Sequence, residues 1–126
     1  MKKKILVADD SKLISNIIDR AFRDKYDIIS AENGEEAIEI IKNNVDDSII
    51  GLFLDLNMPK VNGFEVLDYF KKNNLFQRIP VCIITGDAQK EKIDKVFTYD
   101  IVDVLVKPFT FEKVREEVEK IINLNL

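Results

Sequence analysis

The sequence contains no histidine, and this absence excludes several functional classes. A catalytic triad, a histidine-ligated zinc site and a phosphohistidine carrier each need an imidazole ring. Any chemistry that the chain performs must therefore use carboxylates, hydroxyls, lysine or a hard metal ion.

Cysteine is also scarce, since Cys82 is the only one in the chain. A single thiol excludes an internal disulfide and a cysteine-based metal site. Cys82 stands within the apolar run Val81-Cys82-Ile83-Ile84, which predicts that it is a core residue.

Long apolar runs are missing as well. No segment approaches the roughly 18 apolar residues of a membrane-spanning helix. The four apolar residues 5–8 that follow the N-terminal lysines are too few for a signal peptide. We therefore expect a cytoplasmic protein with no membrane insertion.

Length and charge narrow the possibilities further. At 126 residues the chain is long enough for one domain, 1–126, and too short for two. The net charge of -4 argues against general binding of nucleic acid, and the run Lys2 to Lys4 is better explained as a solvated N-terminus.

Apolar strand patterns alternate with amphipathic helical patterns along the whole chain. The predicted strands are 5–8, 27–31, 49–54, 81–85 and 102–106. Ser11 and Thr110 are predicted to cap the first and last helices, and Ile93, Val96 and Phe97 mark the fourth. This alternation predicts a doubly wound α/β domain with a five-stranded parallel sheet covered on both faces.

Polar side chains follow several of these strands at the point where each strand ends. Asp9 and Asp10 follow the first, Asp55 the third, Thr85 ends the fourth and Lys107 follows the fifth. The carboxyl ends of parallel strands lie along one edge of a sheet, where ligands bind, so these side chains are expected to converge.

Three carboxylates that lie close together repel one another unless a cation neutralises them. Oxygen ligands without histidine or cysteine favour a hard ion, and Mg²⁺ suits a shallow site that shares its coordination shell with phosphate oxygens. Asp55 is then a candidate nucleophile for an aspartyl phosphate, with Thr85 and Lys107 stabilising the transferred charge.

The same residues carry a resemblance that extends over essentially all of the chain. Thr85 lies 30 residues after Asp55, and Lys107 lies 22 residues after Thr85. With these spacings the chain resembles the receiver domain of two-component response regulators, and its size is similar to that of the stand-alone chemotaxis type. The matching positions are Asp9-Asp10, Asp55, Asn57-Met58-Pro59, Gly63, Thr85-Gly86 and Lys107-Pro108-Phe109.

The resemblance implies a flavodoxin-like (βα)5 fold with strand order 2-1-3-4-5. It further implies that Asp55 is the phosphoacceptor, taking its phosphoryl group from a phosphohistidine of a histidine kinase or a histidine phosphotransfer protein. Thr85 would move to bind the phosphoryl group, and Lys107 would pair with it. Such a protein is a switch and not an enzyme, beyond catalysing its own phosphorylation and dephosphorylation.

The resemblance also implies which residues bind the metal ion and which residues set the lifetime of the phosphoryl group. Mg²⁺ would be held by Asp10, Asp55 and the backbone carbonyl of Asn57, with Asp9 contributing mainly through water. Asn57 and Asp87 occupy the two positions that tune phosphoryl lifetime in the family. From the sequence, Asp87 is equally a candidate cap for a helix from Ala88 onward.

The expected output surface, formed by helix four, strand five and helix five, departs from the family pattern. The switch position three residues before Lys107 is Val104, where many members carry an aromatic residue that turns inward on activation. The small-residue turn before strand five is replaced by Tyr99-Asp100-Ile101. We therefore expect an output surface of unusual specificity for a downstream protein target, with no direct contact to nucleic acid.

Several alternatives remain at this point. A phosphatase similar to haloacid dehalogenases needs an acid where this chain has Asn57, and a flavodoxin needs a phosphate loop where it has Asp9-Asp10-Ser11. A receiver-fold interaction module that works without phosphorylation is a closer alternative. The sequence is also compatible with a receiver fragment of a longer regulator that carries an effector domain.

Overall fold

Five strands and five helices alternate in the computed structural model, which describes residues 2–44, 46–58, 60–87 and 89–125. The strands are β1 (Lys3–Ala8), β2 (Tyr26–Ala31), β3 (Ile49–Asp55), β4 (Val81–Thr85) and β5 (Asp103–Val106). The helices are α1 (Leu13–Phe22), α2 (Gly34–Lys42), α3 (Gly63–Lys72), α4 (Lys90–Val96) and α5 (Phe111–Leu124). The predicted alternation of strands and helices is confirmed.

All strand pairs in the sheet are parallel, and the strand order is β2-β1-β3-β4-β5. This order is the one that the resemblance implied. It makes β1 and β4 the two neighbours of β3, with Ala8 opposite Leu54 and Ile84 opposite Asp55. The carboxyl ends of β1, β3 and β4 therefore lie side by side.

Two separate hydrophobic cores cover the two faces of the sheet. Helices α2, α3 and α4 pack on one face through side chains such as Ala37, Phe70 and Val96. Helices α1 and α5 pack on the other face through side chains such as Ile18 and Val118. Every residue of β3 is buried, which explains why that strand has no polar alternation before Asp55.

No helix among the described residues is both long and apolar enough to cross a bilayer.

Helix α1 does not begin as predicted. The residue at its N-cap is Lys12, whose side chain makes no capping hydrogen bond, so the prediction of Ser11 as the cap is wrong. Ser11 Oγ instead accepts a hydrogen bond from Leu13 N at 3.3 Å. The cap predicted for α5 is confirmed, since Thr110 Oγ1 accepts from Lys113 N at 3.1 Å.

Other element boundaries also differ from the sequence prediction, and β2 and β3 are each one residue longer than predicted. Strand β1 begins at Lys3 because Lys3 and Lys4 pair with β2, although neither is apolar. Strand β5 begins at Asp103 and not at residue 102. Helix α4 ends at Val96, so Phe97 lies outside the helix, and 55% of its surface is exposed.

Two glycines allow close approaches that position the sheet edge. A Cβ atom on Gly63 would lie 2.7 Å from Asp55 O and from Leu56 Cα, so α3 begins directly against the end of β3. A Cβ atom on Gly51 would lie 2.4 Å from Ile121 Cγ2, so α5 rests closely on β3. Side chains at these positions would force the backbones apart.

Candidate functional site

Three aspartates meet at the carboxyl ends of β1 and β3. Asp9 and Asp10 directly follow β1, and Asp55 ends β3. One carboxylate oxygen from each lies within 4.8 Å of the others. Asp9 and Asp55 are buried, whereas Asp10 is exposed, so the cluster reaches solvent on the side of Asp10.

Backbone hydrogen bonds orient the two buried carboxylates. Asp9 Oδ1 accepts from Ser11 N at 3.0 Å, and Asp55 Oδ1 accepts from Asn57 N at 2.9 Å. In both cases an aspartate closes a turn onto the backbone two residues later, a local structure that this side chain favours. The turn fixes where the other carboxylate oxygen points.

The electrostatics of this aspartate cluster favour a bound cation. Burial raises the pKa of Asp9 to about 6, the Ser11 N–H opposes the rise, and the negative charge of Asp55 adds to it. A hard divalent ion relieves such repulsion, and an oxygen-only donor set is the one that Mg²⁺ prefers. The residues present at this edge of the sheet therefore fit a magnesium ion.

Lys107 and Thr85 approach the aspartates from β5 and β4. Lys107 Nζ lies 3.5 Å from Asp55 Oδ2. The backbone N–H of Lys107 donates to Thr85 O at 2.8 Å, which ties the ends of the two strands together. The predicted convergence of charged side chains is thus present for Asp9, Asp10, Asp55 and Lys107.

The hydroxyl group of Thr85 has a different set of partners. Thr85 is fully buried, and its Oγ1 accepts from Asp87 N at 3.0 Å and donates to Asp87 O at 3.2 Å. Among the described residues, these are the hydrogen bonds of that hydroxyl. In this state of the protein, Thr85 is therefore engaged with the loop after β4 and not with Asp55.

Asp87 is itself held at both carboxylate oxygens. Oδ1 accepts from Gln89 N at 3.0 Å, and Oδ2 pairs with Lys92 Nζ at 2.9 Å. The Lys92 ammonium, followed by the Gln89 N–H, lowers the pKa of Asp87. Asp87 therefore bonds Gln89, which is the N-cap of α4. The helix begins at Lys90, so the prediction that Asp87 caps it is wrong, and Ala88, where the helix was predicted to begin, lies outside the described residues.

A cleft of about 470 Å³ opens beside Asp10. It places Asn57, whose side chain is exposed, and Lys92 on the walls of the same opening. Pro59, which belongs to the predicted motif, lies outside the described residues. The other residues that line the cleft are Leu56, Met58, Asn62 and Phe64.

Sequence reasoning did not identify Lys92 as part of this region. It lies five residues after Asp87, and Asp87 lies outside α4, so no helical or strand spacing relates the two side chains. The contact depends on the path of the loop between β4 and α4. The sequence contains no signal for it.

The switch position and the turn before β5 lie away from the aspartates. Val104 is half-buried and packs with the core under α4. The Tyr99 hydroxyl donates to Asp68 of α3, and its ring lies 6.3 Å from that of Phe76. Burial, followed by the hydrogen bond to Asp68, raises the pKa of Tyr99 to about 12.

Comparison with known proteins assigns the family. The sequence profile described as "Response regulator receiver domain" matches residues 5–119, which is most of the chain. The chain belongs to the response regulator receiver domain family.

This receiver domain is similar both to stand-alone receivers and to parts of longer regulators. It is 33% identical over 124 residues to the chemotaxis protein CheY1 of Helicobacter pylori (strain J99), covering 97% of this chain and 98% of that protein. It is 34% identical over 125 residues to the alkaline phosphatase synthesis transcriptional regulatory protein PhoP of Bacillus subtilis (strain 168). That match covers 97% of the receiver domain and 49% of PhoP.

Among solved structures, the receiver domain of the Francisella response regulator 1452 superimposes with a TM-score of 0.83 at 27% identity. The match covers 99% of this chain and 100% of that one. The fold is therefore that of a receiver domain, with every element from β1 to α5 included in the match.

Proposed function

We propose that this receiver domain is a phosphorylation-dependent switch of a two-component system, in which Asp55 is the phosphoacceptor. The phosphoryl donor is a phosphohistidine on a histidine kinase or a histidine phosphotransfer protein. The observation that carries the proposal is the position of Asp55 at the end of β3, with Lys107 Nζ 3.5 Å from its Oδ2 and carboxylate oxygens of Asp9 and Asp10 within 4.8 Å.

The transfer requires one nucleophilic oxygen and charge stabilisation around it. A carboxylate oxygen of Asp55 attacks the phosphorus atom, an O–P bond forms, and the N–P bond to the donor imidazole breaks. The ammonium of Lys107 stabilises negative charge on the phosphoryl oxygens. Thr85 provides a hydroxyl to those oxygens once it releases Asp87.

The residues that would hold Mg²⁺ are Asp9, Asp10, Asp55 and the backbone carbonyl of Asn57. When bound, Mg²⁺ neutralises the carboxylates and shields the charge of the incoming phosphoryl group. Asn57 and Asp87 are the residues proposed to set the lifetime of the aspartyl phosphate. Both positions are supported by their location, since Asn57 lines the cleft beside Asp10 and Asp87 holds the hydroxyl of Thr85.

The readout of the switch is proposed to be a protein partner that binds the surface of α4, β5 and α5. Phosphorylation biases this surface between two states, and Val104 lies within it at the switch position. The protein acts in the cytoplasm as a switch, and not as an enzyme with a separate substrate.

The test is intact mass after exposure to a small acyl-phosphate donor, with and without Mg²⁺. We expect one phosphoryl adduct that depends on Mg²⁺ and is absent from the Asp55→Asn variant. Asp27→Asn, which alters an exposed carboxylate on β2, is the matched control and is expected to retain the adduct.

The contrary result is a wild-type protein that forms no adduct and fails to bind a beryllium fluoride phosphoryl mimic in the presence of Mg²⁺. That result would favour a receiver-fold interaction module that works without phosphorylation. An adduct that persists in Asp55→Asn would place the phosphoacceptor elsewhere.

A further inference from the structure

The hydroxyl of Thr85 cannot reach a phosphoryl group without breaking hydrogen bonds that it makes here. Its Oγ1 both accepts from and donates to the backbone of Asp87, at 3.0 and 3.2 Å. A fully buried hydroxyl that loses partners without gaining new ones is unstable. Thr85 therefore turns away only when its two hydrogen bonds with the Asp87 backbone are broken, and the strength with which Asp87 is held affects how readily this happens.

The carboxylate of Asp87 is bonded to α4 and to the residue just before it. The Asp87 carboxylate is held by Lys92 Nζ at 2.9 Å and by Gln89 N at 3.0 Å. Lys92 lies in α4, and its side chain also lines the cleft beside Asp10 and Asn57. The contacts form one continuous path from Thr85 through Asp87 to α4.

We propose that the Lys92–Asp87 ion pair is a latch that holds Thr85 in its resting position, which makes Lys92 a positioning residue for phosphoryl binding. The proposal rests on the proposed function of Asp55. Release of the latch lets Asp87 follow Thr85 and frees the first turn of α4. Activation at Asp55 is in this way linked to a change in α4.

This route couples Thr85 to α4. The side chain of residue 104 lacks the groups to do so. Val104 is half-buried and has neither a hydroxyl nor a ring with which to follow Thr85. The latch instead uses the hydroxyl of Thr85, the backbone and carboxylate of Asp87, and the ammonium of Lys92. Such coupling requires an element with two states whose equilibrium is shifted by both of the sites that it links. Here the element is the Lys92–Asp87 pair, and the two sites are Asp55 and α4.

Beryllium fluoride binding in the presence of Mg²⁺ tests the latch at equilibrium, without any effect of hydrolysis. Lys92→Gln and Asp87→Asn each break the ion pair, so both are expected to bind the mimic about two- to fivefold more tightly than the wild type. The double variant should gain no more than either single variant, because the latch is released only once.

The two variants change the charge in opposite directions, since Lys92→Gln removes a positive charge and Asp87→Asn removes a negative one. This difference distinguishes the latch from a simple electrostatic effect on the anionic mimic. Such an effect predicts that Lys92→Gln weakens binding of the anionic mimic and that Asp87→Asn strengthens it. That outcome would overturn the latch, and so would additive effects in the double variant. Lys92→Arg should restore wild-type affinity, and Lys90→Gln, in the same turn of α4, is the matched control.

The link to α4 has its own readout in the backbone amide NMR signals of Lys90–Val96. These signals are expected to shift when the wild type binds the mimic and to shift less in Lys92→Gln. An equal shift in both proteins would contradict the link to α4. If the variants bind the mimic like the wild type and still form the Asp55 adduct, the latch is wrong and the proposed function stands. If the wild type does neither, both proposals fail.

Discussion

Lys107 Nζ lies 3.5 Å from Asp55 Oδ2, although Asp55 ends β3, Lys107 directly follows β5, and the two residues are 52 positions apart in the chain. The Asp55 side chain is 5% exposed, whereas that of Lys107 is 38% exposed. A buried carboxylate is thus paired with an ammonium that remains in contact with solvent. The pair places a positive charge where a phosphoryl group on Asp55 would gain negative charge.

Replacement of this ammonium tests its role. In Lys107→Met, we expect the rate of adduct formation with an acyl-phosphate donor to fall about 10- to 100-fold, because one charge-assisted contact is lost. Rates are measured by mass spectrometry over time, with circular dichroism to verify folding. Lys71→Met, at an exposed lysine of α3, is the control and should keep the wild-type rate. A Lys107→Met rate within twofold of the wild type would contradict this role.

The contact between α3 and the end of β3 predicts a large effect of one added methyl group. Gly63→Ala would place Cβ 2.7 Å from Asp55 O and Leu56 Cα. Because both are backbone atoms, relieving this overlap requires the end of β3 to shift. We expect a loss of about 1–3 kcal/mol in the free energy of unfolding, measured with urea. Gly86→Ala, whose nearest neighbour would be Lys107 Cδ at 3.9 Å, should change it by less than about 0.5 kcal/mol. Equal effects of the two substitutions would show that the steric argument is wrong.

A charge network that includes one fully buried carboxyl group joins β5 to α5 and predicts a pH dependence. Lys120 Nζ contacts Asp103 Oδ2 at 2.7 Å and the fully buried Glu117 at 3.2 Å. Burial acts to raise the pKa of Asp103, but hydrogen bonds with Lys120, Glu117 and Val104 N outweigh it and lower the pKa to about 2. Burial, followed by the contact with Asp103, raises the pKa of Glu117. Asp103 is therefore the stronger acid of the two carboxyl groups in the folded state.

Because its pKa is lower in the folded state, ionised Asp103 contributes stability that is complete above its unfolded pKa of about 3.9 and is lost as the pH falls through 2. Asp103→Asn should lower the free energy of unfolding by about 1–2 kcal/mol at pH 7. The difference from the wild type should stay constant down to about pH 5 and narrow below pH 4. Glu119→Gln, at an exposed position of α5, is the control. A difference that widens on acidification would contradict the prediction.

Tyr99 anchors the turn before β5, so its hydroxyl and its ring are expected to contribute separately. Tyr99→Phe removes the hydrogen bond to Asp68 and should cost about 0.5–1.5 kcal/mol of unfolding free energy. Tyr99→Ala also removes the packing against Phe76 and should cost at least about 1 kcal/mol more. Urea denaturation of both variants measures the two contributions. Equal losses would mean that the ring contributes little.

The parts of the site that could be predicted from the sequence are those set by strand geometry. Asp9, Asp10 and Asp55 meet because parallel strands end at one edge of the sheet, and strand patterns are readable from apolar runs. Lys107 follows the same rule. The position of each of these residues is confirmed, while their roles in phosphoryl transfer stay predictions.

Features set by loops could not be predicted in the same way. The Lys92–Asp87 pair depends on the path between β4 and α4, and the Tyr99–Asp68 bond joins side chains 31 residues apart. Neither contact follows from a helical or strand period. Phe97 was assigned to α4 because it continues the apolar spacing, yet the helix ends one residue earlier and exposes it.

The close approach of α5 to β3 at Gly51 restricts movement of this helix relative to this strand. With Ile121 seated against a residue that has no side chain, α5 cannot move inward, and outward movement would leave an empty space in the core. Strand β3, which ends at Asp55, and α5 therefore behave as one block. On the opposite face of the sheet α4 is the shortest helix, with seven residues and only Val96 fully buried, so we expect a displacement that follows phosphorylation of Asp55 to occur there. A partner that contacts both helices would therefore bind according to the position of α4 relative to an α5 that does not move.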